Sequence, residues 1–233
     1  MEHINHIQFP FTFDRSLLKA DLEKILGKNW TAHYNSGAYS GNWTSVSLLA
    51  AGGKSSNINA LPNEKEPVTE TEVMEGCDYF REVLNSFECP KTTARLLKLD
   101  VGAEIKPHKD YCLGYEDGVF RIHIPIVTNP DVEFILDGER IIMEEGSCWY
   151  IDANKEHSVA NRGTKDRIHL VIDGNRNEWT DRLFFSMASE EQFQSPQKQS
   201  TDPKFQKRMI EELKRMNTPE SLELIRQLSA DRE

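Results

Sequence analysis

The sequence predicts a mainly β protein with flanking helices, its strands arranged as a sandwich or jelly-roll barrel. Three observations carry this. Seven short runs rich in β-branched and aromatic residues follow one another between Thr92 and Asp173. Tight-turn signals divide them, Asn129-Pro130-Asp131 and Asp137-Gly138 among them, and the second is a strong hairpin mark. Apolar residues at helical spacing lie outside this region, toward the two ends of the chain.

Taken in order, Asp14 reads as the N-cap of a helix whose apolar stripe is Leu17, Leu18, Leu22, Ile25 and Leu26, with Gly27 as its stop. Positions 34–53 carry no charge and include Tyr34, Tyr39 and Trp43; residues 43–48 suit a strand, and the segment suits a lid or substrate wall as well as ordinary core and loop. Residues 52–67 read as a loop. Thr69-Glu70-Thr71-Glu72 has the capping-box pattern and predicts a helix running to Phe87. The strand runs are 94–99, 119–128, 132–136, 139–143, 147–151, 157–161 and 166–173. This divides the chain into residues 1–187, with a jelly-roll core at about 92–173, and a linker with a helical tail over 188–233. Tail helices are expected from about Asp202 or Pro203 and from Thr218-Pro219. Their apolar face, Met209, Leu213, Met216, Leu222, Ile225 and Leu228, suits core packing or a homodimer contact.

Charge narrows the function. The 38 Asp and Glu outnumber the 28 Lys and Arg, and a net charge of −10 speaks against a partner that is nucleic acid. Cys77, Cys89, Cys112 and Cys148 form no Cys-x-x-Cys pair, which fits a reducing, cytoplasmic setting rather than a zinc ribbon or thioredoxin-type centre. No run of 18 apolar residues predicts a membrane span, and the N-terminus does not read as a signal peptide. Gly52-Gly53-Lys54-Ser55 lacks the first glycine of a phosphate loop.

The chemistry concentrates in Pro107-His108-Lys109-Asp110. On an extended segment His108 and Asp110 point the same way, so an imidazole and a carboxylate can occupy adjacent positions on an octahedral metal. A second histidine from elsewhere would complete a two-His-one-carboxylate facial triad, which leaves three positions open. The alternative is a surface turn in which Asp110 caps an amide. His157 opens a later strand, and Arg167, ten residues on, would return beside it if the two strands form a hairpin. A buried Arg167 near a metal requires an anion, and a terminal carboxylate gripped by the guanidinium would supply one; the alternative is an edge residue paired with Asp166 or Asp173. Val119 to Ile126 alternates strictly: Phe120, Ile122, Ile124 and Ile126 share one face, Arg121 and His123 the other. The Arg-x-His pattern recurs at Arg167-Ile168-His169. Two such strands around a His-x-Asp loop suit a polar cavity, with solvent as the default alternative.

These residues resemble the aspartyl/asparaginyl β-hydroxylase family, which includes bacterial proline hydroxylases. The matching text is Gly102 to Asp110, then Arg121-Ile122-His123, Glu145-Gly146-Ser147, Asp152, Glu156-His157 and Arg167 to Asp173. Residues 30–49 match more loosely. The resemblance implies a double-stranded β-helix (jelly-roll, cupin-like) core and an Fe(II)- and 2-oxoglutarate-dependent dioxygenase consuming O2 and releasing succinate and CO2. By it, His108, Asp110 and His157 are the metal ligands, Arg167 pairs with the distal carboxylate of 2-oxoglutarate, and Arg121 and His123 lie near that cosubstrate. The vertebrate-type branch lacks a carboxylate ligand, so Asp110 departs from that branch and matches the proline-hydroxylase one. The implied substrate is a small molecule, a free amino acid or a derivative. A side chain in a peptide or protein, a cupin-like enzyme without 2-oxoglutarate, and a ligand-binding barrel are the competing readings.

Overall fold

Alternation along the strands decides how the chain is layered. A computed structural model describes residues 3–60, 66–110, 113–193 and positions 210, 214, 222, 225 and 226. The described strands are β1 (His6–Thr12), β2 (Thr31–Ala32), β3 (Tyr39–Ser40), β4 (Trp43–Ala51), β5 (Val68–Glu70), β6 (Lys91–Leu99), β7 (Glu104–His108), β8 (Val119–Val127), β9 (Val132–Leu136), β10 (Glu139–Ile141), β11 (Ser147–Ile151), β12 (His157–Asn161) and β13 (Arg167–Asn175). The helices are α1 (Arg15–Leu26), α2 (Asp78–Asn85) and α3 (Glu178–Met187). The large sheet has the order β1-β11-β8-β13-β6-β4-β2, with β5 also on β4; the small sheet is β10-β9-β12-β7-β3. Neighbours are antiparallel throughout, and the architecture is the expected jelly roll.

Two cores follow from the alternation. Ile122, Ile124 and Ile126 of β8, Leu96 of β6, and Leu170 and Ile172 of β13 face outward onto Leu18, Leu22 and Ile25 of α1, Phe80, Val83 and Leu84 of α2, and Phe184 of α3. A second core, between the sheets, gathers Leu99 and Trp149 from the large sheet with Ile105, Phe134, Leu136 and Val159 from the small one. The other face of β8 and β13 also points between the sheets. Arg121, His123, Arg167, His169 and Asp173 are therefore buried rather than in solvent. Both faces of these strands are interior, so a polar face here marks a cavity.

Local signals settle several elements. Asp14 caps α1 by accepting from Ser16 N at 2.8 Å and Leu17 N at 3.0 Å. The β9–β10 hairpin turns on Asp137 (φ 50°) and Gly138 (φ 84°), the pair of left-handed residues that a two-residue primed turn needs. Other expectations are corrected. No helix spans 69–87: Val68–Glu70 pairs with β4, Thr71 spends its hydroxyl on Ser47 O, and Ser55 takes the Glu72 carboxylate. Gly76 then adopts φ +75°, and α2 starts only at Asp78. Strand pairing thus outcompetes the capping box. β12 and β13 are not a hairpin; they belong to different sheets. Asn161, which bonds Leu99 O and Lys165 O through its amide, anchors the crossing between them. Strand β1 and helix α3, capped by Asn177 onto Thr180 N, lie where no element was predicted. The five described tail positions are helical. The expected linker does not begin at 188: Glu190–Phe193 forms a 3-10 turn, Gln192 O accepts from Ile4 N at 3.0 Å, and Phe193 is buried in the core against Phe184. The rest of the expected linker, tail helices and dimer face lies outside the described residues.

Phe184 ties the termini of the fold together. Fully buried, its ring lies 3.8 Å from Tyr115 and 5.0 Å from both Phe9 and Tyr150, centroid to centroid. Phe184→Ala is expected to cost about 3–5 kcal/mol of stability in urea unfolding. A loss below about 1 kcal/mol would show that α3 is not part of this core.

Candidate active site

The site begins with a strand register. β12 pairs with β7 so that His157 stands directly opposite His108. Side chains at opposite positions on one face are near neighbours, and the two imidazole centroids lie 4.2 Å apart. Asp110 follows two residues after His108 and is fixed by its backbone N–H, which donates to Ala153 O at 2.9 Å. One ligand atom each from His108, Asp110 and His157 falls within 4.8 Å of the others.

The backbone sets the tautomers. His108 Nδ1 lies 2.9 Å from Lys106 O, and His157 Nδ1 lies 2.9 Å from Lys155 O. A carbonyl only accepts, so in the neutral rings the proton sits on Nδ1 and the lone pair on Nε2. His108 Nε2 is 3.6 Å from Asp110 Oδ1. Two imidazole lone pairs and a carboxylate on one point fit a divalent metal of the facial-triad type. Burial pulls the His157 imidazole down to about 4, against the opposing pull of Asp110, so it is a lone-pair donor at neutral pH.

Asp110 belongs to a buried ionic chain. Arg121 Nη1 donates to its Oδ2, while Arg121 Nε and Nη2 donate to the two oxygens of Asp173 at 2.7 and 3.1 Å. Arg95 Nη2 donates to Asp173 Oδ2 at 2.7 Å. Burial by itself would raise the Asp110 carboxyl, but the Arg121 guanidinium and the two histidines hold it well below the usual carboxylate range. Burial would lower Arg121, but Asp173 and Asp110 hold it above its usual value.

Across the cavity, Arg167 projects from β13. It is 2% exposed, and among the described residues its guanidinium has no carboxylate partner and donates to His169 Nδ1 at 2.9 Å. Burial drives its pKa down to about 9, so the cation persists at neutral pH at a cost that an arriving anion would repay. His123 is buried with no partner on Nδ1 among the described residues, and burial, followed by Arg167, keeps it far below the usual histidine value.

All six residues picked from the sequence, His108, Asp110, His157, Arg121, His123 and Arg167, border one cavity. Trp43, Leu97, Ile105, Phe134, Ile151 and Val159 supply its apolar wall. Trp43 from the uncharged segment is there, with His33 stacked on it at 3.5 Å. Tyr39 packs edge-on against Trp43, while Tyr111 and Cys112 lie outside the described residues. Arg167 reaches the cavity from the sheet opposite His157, not from a hairpin beside it. Sequence reasoning missed Arg95 as a site residue. Its signal was a charge in the middle of the β-rich run from Thr92 to Leu99, on the opposite alternation from Lys98 and with a partner 78 residues away.

Comparison with known proteins gives the family and the fold. The family model described as Aspartyl/Asparaginyl beta-hydroxylase matches residues 13–177. The chain belongs to this family. L-proline cis-4-hydroxylase of Rhizobium meliloti (strain 1021) is 25% identical over 170 residues, which cover 72% of this chain and 60% of that protein. The match thus spans less than two thirds of the relative's length. Among solved structures, an oxidoreductase of the 2OG-Fe(II) oxygenase family from Burkholderia pseudomallei superposes with a TM-score of 0.51 at 12% identity, covering 74% of this chain and 89% of that one. It shares the fold.

Two measurements test the electrostatics. Asp173→Asn would leave Arg95 and Arg121 buried without their shared counter-charge. It is expected to cost about 3–5 kcal/mol in denaturant unfolding, and a neutral outcome would remove Asp173 from the account. His123, His157 and His169 all have lowered folded values, chiefly through burial, against an unfolded value of 6.5. The unfolded metal-free chain therefore binds more protons below 6.5. Stability should be fully present above that pH and fall toward pH 4, by up to about 1.4 kcal/mol per pH unit for each imidazole. Urea midpoints across this interval check it, and a flat profile would contradict it.

Proposed function

We propose that this protein is an Fe(II)- and 2-oxoglutarate-dependent dioxygenase that hydroxylates an unactivated C–H bond of a free amino acid or an amino-acid-derived small molecule. One observation carries the reading: a two-His-one-carboxylate set and a buried guanidinium without a carboxylate partner meet in one cavity. His108, Asp110 and His157 would hold the iron through Nε2, a carboxylate oxygen and Nε2. Iron, with 2-oxoglutarate and O2, supplies the oxidising chemistry and leaves succinate and CO2 as co-products.

The chain's own residues bind, orient and exclude water. Arg167 would take the distal carboxylate of 2-oxoglutarate as a charge-assisted pair. His123, neutral and with an unpartnered ring nitrogen, is placed to hydrogen-bond the cosubstrate nearer the metal ligands. Arg121 acts on the same centre through Asp110, whose carboxylate it holds ionised and in place. The apolar wall of Leu97, Ile105, Phe134, Ile151 and Val159 keeps the reacting volume dry.

The substrate class rests on the β4–β6 side. Trp43, Ser45 and Arg95 share the inner face there, and Trp43 Nε1, Ser45 Oγ and Arg95 Nε are buried without partners among the described residues. An indole and a hydroxyl donor beside one edge of a guanidinium suit the carboxylate of a small amino acid. The activity named for the Rhizobium meliloti relative, on proline, is of this kind.

The test is an anaerobically Fe(II)-loaded enzyme mixed with 2-oxoglutarate, O2 and a panel of amino acids and peptides. Succinate release coupled to a one-oxygen mass gain in a free amino acid is the expected result. A mass gain confined to peptides would overturn the substrate class, and metal-dependent turnover without succinate would overturn the dioxygenase. Arg167→Ala should raise KM for 2-oxoglutarate by about 30-fold or more, the consequence of losing a buried charge contact.

A further inference from the structure

Arg167 differs from the other buried arginines in what holds it. Arg95 and Arg121 both rest on the carboxylate of Asp173. Arg167 rests on an imidazole: its Nη2 is 2.9 Å from His169 Nδ1. Positions 167 and 169 are two apart on one strand and so share a face, which is why the Arg-x-His spacing brings them together. A guanidinium has no lone pair to offer, so His169 accepts at Nδ1 and carries its proton on Nε2. His169 is 2% exposed, and burial with Arg167 beside it keeps the ring neutral.

A carboxylate at this place would orient the guanidinium and cancel its charge. A neutral imidazole orients it and leaves the charge unspent. The surroundings are consistent with this difference. Arg167 and His169 together border a smaller cavity behind Phe134, with Thr128, Asn129 and Met143 among its other walls, and no acidic side chain of the described residues lines it. Among the same residues, Arg167 Nε and His169 Nε2 are both buried without partners.

We infer that His169 is a positioning residue for cosubstrate choice: by holding Arg167 through a neutral acceptor, it reserves the full guanidinium charge for the distal carboxylate of a 2-oxo dicarboxylic acid. The inference rests on the reading of Arg167 as that carboxylate's partner. His169 acts through Arg167, so its effect belongs to binding of the distal carboxylate and not to the metal end of the cosubstrate.

The test measures binding rather than turnover, with Mn(II) in place of iron and the full chain. Calorimetric affinities are taken for 2-oxoglutarate and for 2-oxobutanoate, which keeps the 2-oxo acid group and lacks the distal carboxylate. His169→Asn keeps a neutral acceptor near the Nδ1 position and should bind 2-oxoglutarate within about threefold of the parent. His169→Asp places an anion there and should weaken 2-oxoglutarate by at least about tenfold. Both should leave 2-oxobutanoate unchanged, which general damage to the site would not do. If the Asp variant does not fold, His169→Leu replaces it, with weakened 2-oxoglutarate and unchanged 2-oxobutanoate expected. Equal 2-oxoglutarate affinity in the Asn variant and in its Asp or Leu counterpart would overturn the inference while leaving the function reading intact. Unchanged 2-oxoglutarate affinity in Arg167→Ala would overturn that reading itself, and the inference with it.

Discussion

The site depends on a buried ionic chain running Arg95, Asp173, Arg121, Asp110. Each link constrains the next. Asp173 is 1% exposed and takes donors from two guanidinium groups, so both arginines are locked on the inner face of the large sheet. Arg121 in turn reaches across to the loop after β7 and fixes Asp110 beside His108. Burying charges is costly unless each is paired and hydrogen-bonded; here Arg95, Arg121 and Asp173 are buried, Asp110 is partly exposed at the cavity, and two cations meet two anions. The reward is a carboxylate aimed at a defined point from a loop, a place where side chains are ordinarily mobile.

The remaining charges follow from that balance. With Arg95 and Arg121 matched by Asp173 and Asp110, Arg167 is the surplus cation of the cavity. Its neighbours are neutral imidazoles, His123 and His169, both held uncharged by burial. With a divalent metal on His108, Asp110 and His157, as proposed, the cavity would present two separated positive features, the metal and the Arg167 guanidinium, with apolar walls between them. An anion with one carboxylate at each end is complementary to that layout. The chain is acidic overall, so this cationic interior is set by placement rather than by composition.

Much of this was legible in the sequence, for identifiable reasons. The His108-x-Asp110 spacing is local, and an extended backbone suffices to put both side chains on one side. The Asp137-Gly138 hairpin is equally local. The alternation over 119–126 gave the two faces of β8 correctly; which face met solvent was a tertiary matter, and neither does. Non-local pairing decided what the sequence could not. The capping box at Thr69 yields to β5–β4 pairing, and the ten residues between His157 and Arg167 fit a hairpin and a crossing between sheets equally well. Arg95 was overlooked as a site residue because its partner is far away in the chain, and a charge in a β-run carries no label for what it meets.

In the proposed reading, His108, Asp110 and His157 form one metal centre that accepts a chelating 2-oxo acid in reach of Arg167. The most direct measurement is the visible absorption of the protein titrated anaerobically with Fe(II) and then with 2-oxoglutarate. The expected result is a charge-transfer band that appears only when both are present, saturates at about one equivalent of iron, and is lost in His157→Ala. Iron binding with no band on addition of 2-oxoglutarate, or an unchanged band in His157→Ala, would contradict it.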